Sequence, residues 1–451
     1  MAEQLQLPGE WALDETGKRY SGVLFVDQDA KSIVLKVWFY GEDQKTVEPF
    51  KVDFVRAYVV GRLLNGKRMT LVSCEGRLCK ISANIKSPRY TSEYQLLAKY
   101  AFVNVDVKCA EELKFFGTTV DFGDIGEWAR ISSVSYRMDE KKSNSYYWQM
   151  QCGTGTQIWL RQHDSVFFST GMKGGRTKDM HAKVVLEQPT RVQFCYPQRV
   201  QWDRVMEDVQ IVRELIAFGL DRHVGVENVQ TLHDSMLPDQ FKGCRSIPGN
   251  FSESVYIGDR YVAVPQRKSS TNVYLTLDDL IPILNPVSAG LNRLGFVRPV
   301  VRLFLDAHIY TDEFHADKVF MYLVRGLEIA HLQMDLMDGG KGDQVTLSTR
   351  LHSLMDPLCG VEGAGCEQDS IDGEIEKIVA TRNYYTHFTE KWRVKAIRDE
   401  RLFDVNQKLT QMLRYYILKL IGLPEKVAQK RVGYGTGHDS ECISESWSVE
   451  F

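Results

Sequence analysis

A chain of 451 residues with 43% hydrophobic and 25% charged residues has an ordinary soluble composition and enough length for two or three domains with buried cores. Its formal net charge of -3 excludes a globally basic nucleic-acid binder, so any RNA contact has to come from a local patch. No run of about 18 apolar residues is present to span a bilayer, and the opening residues lack the basic, apolar and small-residue regions of a secretory signal; the chain is expected to be cytoplasmic and to have no membrane partner.

In chain order the first half reads as strands. Ile33, Leu35, Val37 and Phe39 alternate with Val34, Lys36 and Trp38, the period of two of a strand with one face in a core. Gly22 to Val26 can pair with it. Asn65-Gly66 stands between Tyr58–Leu64 and Met69–Val72 as a hairpin turn. Further strands are expected at Phe102 to Lys108, Trp128 to Arg137, Gln157 to Arg161, Val166 to Ser169, Ala182 to Leu186, Arg191 to Tyr196, Val226 to Leu232 and Ser254 to Val264. A helix near 204–219 interrupts them, marked by the stripe Val205, Val209, Val212 and Ile216. Many short strands separated by turns predict an antiparallel, sandwich-like β-rich domain over 1–265.

Pro282, Pro286, Gly290 and Gly295 then punctuate a linker over 266–298, and an all-α domain is expected over 299–425, followed by a tail over 426–451. Helices are predicted at Pro299 to Tyr310, Thr311 to Leu336, Thr346 to Leu358, Ser370 to Phe388 and Arg401 to Ile421. The chain is thus expected to be an α+β multidomain protein, strands first and a helical bundle second. Nine cysteines without a Cys-x-x-Cys pair read as reduced thiols, and no metal or cofactor is implied.

The chemistry concentrates in the helix ending at Phe388. Ile371, Ile375, Ile378 and Val379 form its apolar face, and Arg382, Asn383 and His387 follow. A fixed cation beside a titratable imidazole suits a phosphodiester. The spacing alone is weak, because five Arg–His pairs in the chain satisfy it: Arg176 with His181, Arg302 with His308, Arg325 with His331, Arg382 with His387 and Arg431 with His438. Arg382 is distinguished by two preceding turns of amphipathic helix, a polar Asn383 after it and interleaved aromatics. Downstream, Lys391, Arg393, Lys395 and Arg398 surround Trp392, which reads either as a phosphate- and base-binding patch or as a solvated face. Glu328 and His331 have the Glu-x-x-His spacing of di-iron bundles, but no second pair accompanies them.

Ala380-Thr-Arg-Asn-Tyr-Tyr-Thr-His-Phe388 at the end of a late helix resembles the Arg-x4-6-His motif of HEPN domains. With a strand-rich half ahead of it, an opening Gly9-Glu10-Trp11 and a Gly22-x-Leu24 strand, most of the chain resembles the ApeA-like HEPN family. That resemblance implies a prokaryotic anti-phage abortive-infection ribonuclease whose strand-rich half senses infection, with a phage protein as trigger, and whose helical half cuts RNA, tRNA included. It implies a dimer through the motif helices, Arg382, Asn383 and His387 as catalytic residues, and Glu328 as the acidic residue facing them from an earlier helix. Lys391, Arg393 and Lys395 are read as substrate-binding. Two rival readings stay open: a non-catalytic HEPN module that binds a nucleotide or a protein, and a β-sandwich recognition protein with a helical dimerisation domain.

Overall fold

The structure is a computed structural model. It describes residues 4–13, 17–27, 30–41, 53–83, 90–105, 107, 109–130, 134–141, 145–152, 157–161, 165–170, 173–175, 185–187, 190–232, 253–258, 273–284, 290–310, 315–340, 345–359, 368–398 and 400–433. The chain divides into two compact units: residues 1–213 with 224–267, and residues 214–223 with 268–451.

In the first unit, β1 (Leu5–Ala12), β2 (Arg19–Asp27), β3 (Ser32–Gly41), β4 (Asp53–Leu63), β5 (Arg68–Ala83) and β6 (Tyr90–Val103) pair antiparallel in the order β6-β3-β2-β1-β4-β5. β5 pairs with β6 as well, so the six strands close into a barrel. The antiparallel strand-rich half is as expected, but its first six strands close on themselves where a sandwich-like arrangement was expected. The cause is the length of β5 and β6, 16 and 14 residues, which pair along almost their whole extent. The period-two reading of β3 holds: Ile33, Leu35, Val37 and Phe39 point into the barrel core with Trp11, Leu24, Val59, Leu71 and Leu96. Trp11 fits because Gly61 lies across from it; a Cβ at 61 would come within 2.2 Å of the indole.

β6 carries β3 along residues 90–97 and β16 (Glu253–Ile257) along 100–102. From that branch an open sheet continues through β15 (Val226–Leu232), β7 (Lys114–Phe122), β14 (Thr190–Gln201), β11 (Ser165–Thr170) and β10 (Gln157–Arg161). β8 (Val134–Lys141) with β9 (Ser145–Cys152), and β12 (Lys173–Gly175) with β13 (Val185–Glu187), form separate hairpins. The strand expected from Trp128 begins only at Val134. Trp128 instead belongs to the one-turn helix α1 (Ile125–Ala129), bounded by Asp124 and Arg130 in left-handed backbone. The strand expected to run to Lys108 stops at Val103, where Asn104 takes φ 56°. Residues 176–184 and 259–264, covering parts of two predicted strands, lie outside the described residues.

The helix expected near 204–219 is α2 (Trp202–Leu220), which starts in the first unit and ends in the second. At its start Trp202 packs edge-on against Phe102 and Phe115. The fully buried Asp208 receives a hydrogen bond from the Tyr196 hydroxyl and an ion pair from Arg204.

The second unit contains α3 (Leu277–Leu284), α4 (Gly290–Leu305), a π-helical turn over Asp306–Tyr310, α5 (Ala316–Met337), α6 (Leu347–Cys359), α7 (Gln368–His387), α8 (Glu390–Arg393), α9 (Glu400–Ile421) and α10 (Glu425–Val432). The stretch expected as a linker over 266–298 therefore holds α3 and the start of α4, with Pro282 and Pro299 inside helices. A capping box explains α3: the Thr276 amide donates to Asp279 Oδ2, and the Asp279 amide donates to Thr276 Oγ1. The tail expected from 426 is helical through Val432, while residues from 434 on lie outside the description. α9 is the core helix; Leu409, Leu413, Tyr416, Ile417 and Leu420 are all buried. α5 crosses it where Gly326 meets Leu413, a contact so close that a Cβ at 326 would come within 2.6 Å of Leu413 Cδ2.

The end of α2 is built into this unit. Glu214 pairs with Arg298 through two hydrogen bonds of 2.7 and 3.1 Å. Asp221 Oδ1 lies 2.6 Å from Arg414 and 3.1 Å from His308 Nε2. The Arg414 guanidinium stacks 3.7 Å from the centre of the Tyr274 ring.

Candidate active site

α7 carries the motif because its apolar residues recur at helical spacing: Ile371, Ile375, Ile378 and Ala380 are buried, and α7 packs against α5 and α6. This places Arg382 at the margin of the buried face, half-buried. Its guanidinium Nη2 lies 3.7 Å from Glu328 Oε1 on α5, and Nη1 lies 3.3 Å from the Asn383 side-chain oxygen. Arg382, Asn383 and Glu328 are thus brought together by two helices.

α6 adds a third element. Thr346 caps it, its hydroxyl receiving the Thr349 amide, and the first turn presents Arg350. Arg350 donates from Nη1 to the Glu328 carbonyl at 2.9 Å and from Nε to the Val345 carbonyl at 3.3 Å. Glu328 is therefore engaged twice, by its backbone from α6 and by its carboxylate from α7. No local pattern around Arg350 signals this role; its partner is on another helix. One turn beyond Glu328 stands His331. Partial burial, reinforced by Arg350, pulls its imidazole below the ordinary histidine value, with Asp335 opposing.

His387 occupies the last position of α7, about 7–8 Å along the axis from Arg382, and its side chain is exposed. Among the described residues no hydrogen bond or ion pair to its imidazole is found, so the structure does not bring it to the Glu328 pair within one chain. The helix stops there because Phe388 adopts φ 49°, its amide reaching back to the Tyr384 carbonyl at 2.6 Å. Phe388 is 72% exposed, as is Val394 at 82%. Tyr384 packs against Tyr385 and Phe388, and Tyr385 against Phe320.

The basic stretch after the motif folds back on α7, its path fixed by the buried Thr381, whose hydroxyl accepts the Ile397 amide at 2.8 Å. Lys391, Arg393 and Lys395 are all exposed. Arg393 is 3.3 Å from Glu390, Lys395 is 3.8 Å from Glu376, and Lys391 stands over the Trp392 ring. Two of these three cations are thus shared with carboxylates. Among the described residues no three His, Cys, Asp or Glu side chains are grouped as metal ligands, and no helix is long and apolar enough to cross a membrane.

Two family descriptions match the chain. ApeA N-terminal domain 1 matches residues 7–254, the barrel and its open extension, and Apea-like HEPN matches residues 304–427, which include Glu328, Arg350, Arg382 and His387. Comparison with curated proteins and with solved structures yields no match. With more than half its length under the first description and its helical core under the second, the chain belongs to the ApeA-like HEPN family.

Proposed function

We propose that this protein is a metal-independent endoribonuclease of anti-phage abortive infection. Membership supports a HEPN-type defence nuclease at the level of the family. The observation that carries the residue-level reading is the Arg382 guanidinium, held half-buried between Glu328 and Asn383 with donors to spare for a phosphate.

RNA supplies its own nucleophile in the 2′-hydroxyl, so the protein has to hold the phosphate and move protons. Arg382 offers its fork to the charge that develops on phosphorus-bound oxygens, and Asn383 orients the guanidinium or a phosphate oxygen. His387 donates a proton to, or accepts one from, the reacting oxygens. Its exposed position at the helix end suits a site completed by α7 of a second copy across a two-fold axis. Lys391, Arg393 and Lys395 hold flanking phosphates, with Trp392 offering a stacking face. The substrate is RNA, tRNA among the candidates; the strand-rich unit responds to a phage protein in the cytoplasm and releases the activity.

The test is RNA end-mapping after induction in phage-challenged bacteria. Wild type should yield 2′,3′-cyclic phosphate and 5′-hydroxyl ends that are absent with His387→Ala, and purified protein should cleave in EDTA. Intact RNA in both strains sinks the nuclease reading and favours a binding module; loss of cleavage in EDTA sinks the metal-free mechanism.

A further inference from the structure

The α5–α6–α7 junction holds a second imidazole that the motif does not include. Glu328, His331 and Asp335 follow one another along one edge of α5, at three- and four-residue spacing, beside the buried stripe of Leu323, Leu327 and Ala330. His331 is half-buried there, open to solvent on one side. Its neighbouring charges are Glu328 and Asp335 on its own helix, Arg350 from α6 and, through Glu328, Arg382 from α7. His352, the next histidine on α6, is turned to Asp372, 3.6 Å away. Asp221, buried with Arg414 and paired also with the partly exposed His308, is already engaged by both.

We propose that His331 is a proton-transfer residue of the same site, the base that complements His387. The assignment rests on the endoribonuclease reading above. The step balances as follows: His331 takes the proton from the 2′-hydroxyl; the 2′-oxygen bonds to phosphorus; the bond from phosphorus to the 5′-oxygen breaks; and the departing 5′-oxygen takes a proton from the His387 imidazolium. The products are a 2′,3′-cyclic phosphate and a 5′-hydroxyl, and solvent returns both histidines to their starting states. Partial burial first, and Arg350 second, favour the neutral imidazole that a base requires, and the hydrogen bond of Arg350 to the Glu328 carbonyl keeps it beside that turn of α5.

The experiment is the pH dependence of cleavage of total bacterial RNA, in excess over enzyme, by the purified full-length protein with phage-infected cell extract added as trigger and the His387→Ala background subtracted. Wild type should show a rate that rises through an acid-side limb. His331→Gln and His331→Asn should lower kcat about 10²- to 10⁴-fold with little change in KM and abolish that limb. Arg350→Gln should move the limb to higher pH, because removing the cation lets the imidazole bind its proton more tightly. Wild-type rate and an unaltered limb in both His331 variants, or a limb that does not move in Arg350→Gln, overturn this proposal alone. A folded wild type that, with the infected-cell extract present, leaves total bacterial RNA as intact as His387→Ala does at every pH overturns the nuclease reading and this assignment with it.

Discussion

Two arginine–carboxylate pairs in the helical unit use the same chemistry to opposite ends. Arg414 and Asp221 are 2.6 Å apart with side chains 5% and 8% exposed, and the guanidinium is stacked on Tyr274. Arg382 and Glu328 are 3.7 Å apart, 34% and 26% exposed, at the margin of the packed face. The first pair is short, stacked and shut away from water, leaving little for a ligand to gain. The second is long and open on one side, so an incoming phosphate can replace or share the carboxylate at small cost. Under the proposed function, the difference separates an arginine that holds the fold from one left open to bind a phosphate.

The largest effect should come from breaking the closed pair. Asp221→Ala leaves Arg414 buried without its counter-charge and should cost about 3–5 kcal/mol of stability, read from the denaturant midpoint of the full chain; a loss under about 1 kcal/mol would erase the contrast. Next comes the open pair. Arg382→Lys should lower the cleavage rate by about 10²- to 10³-fold while shifting stability by no more than about 1 kcal/mol, and a large fall in melting temperature would show that it, too, is structural.

The smallest effect is the pH dependence of the closed pair. Burial alone would raise the Asp221 carboxyl, but the hydrogen bond from His308 together with Arg414 outweighs it and holds the group below the usual carboxylate range. The stability it supplies is therefore fully present above the unfolded value of about 3.9 and lost as pH falls through the lower folded value. Stability measured against pH should have a flatter acid limb in Asp221→Asn than in wild type; superimposable limbs would refute the coupling.

What was legible in the sequence follows from the range of the forces involved. α7, α9 and the Asn65-Gly66 hairpin between β4 and β5 were readable because helical stripes and turn chemistry are local. Barrel closure was not, since β5 serves two partners and strand alternation looks the same in a sandwich and in a barrel. α3 was hidden by reading Pro282 as a breaker, although Thr276 and Asp279 carried a capping signal. Within the site, Arg382 with Asn383 lies in one short motif, whereas Glu328 with Arg350 depends on a contact between helices. Nothing near Asp221 announces Arg414, 193 residues away along the chain.

The last turns of α2 have a practical consequence for dissecting the molecule. Residues 214–223 belong to the helical unit, yet they precede by many residues the Apea-like HEPN match that begins at 304. A fragment started at 268 or at 304 would leave Asp221 behind, and Arg414 would enter its core with no anion to meet it. The HEPN half is therefore not a cassette that can be excised at its sequence boundary; grafted onto another domain, it would have to bring a segment borrowed from the other side of β15 and β16.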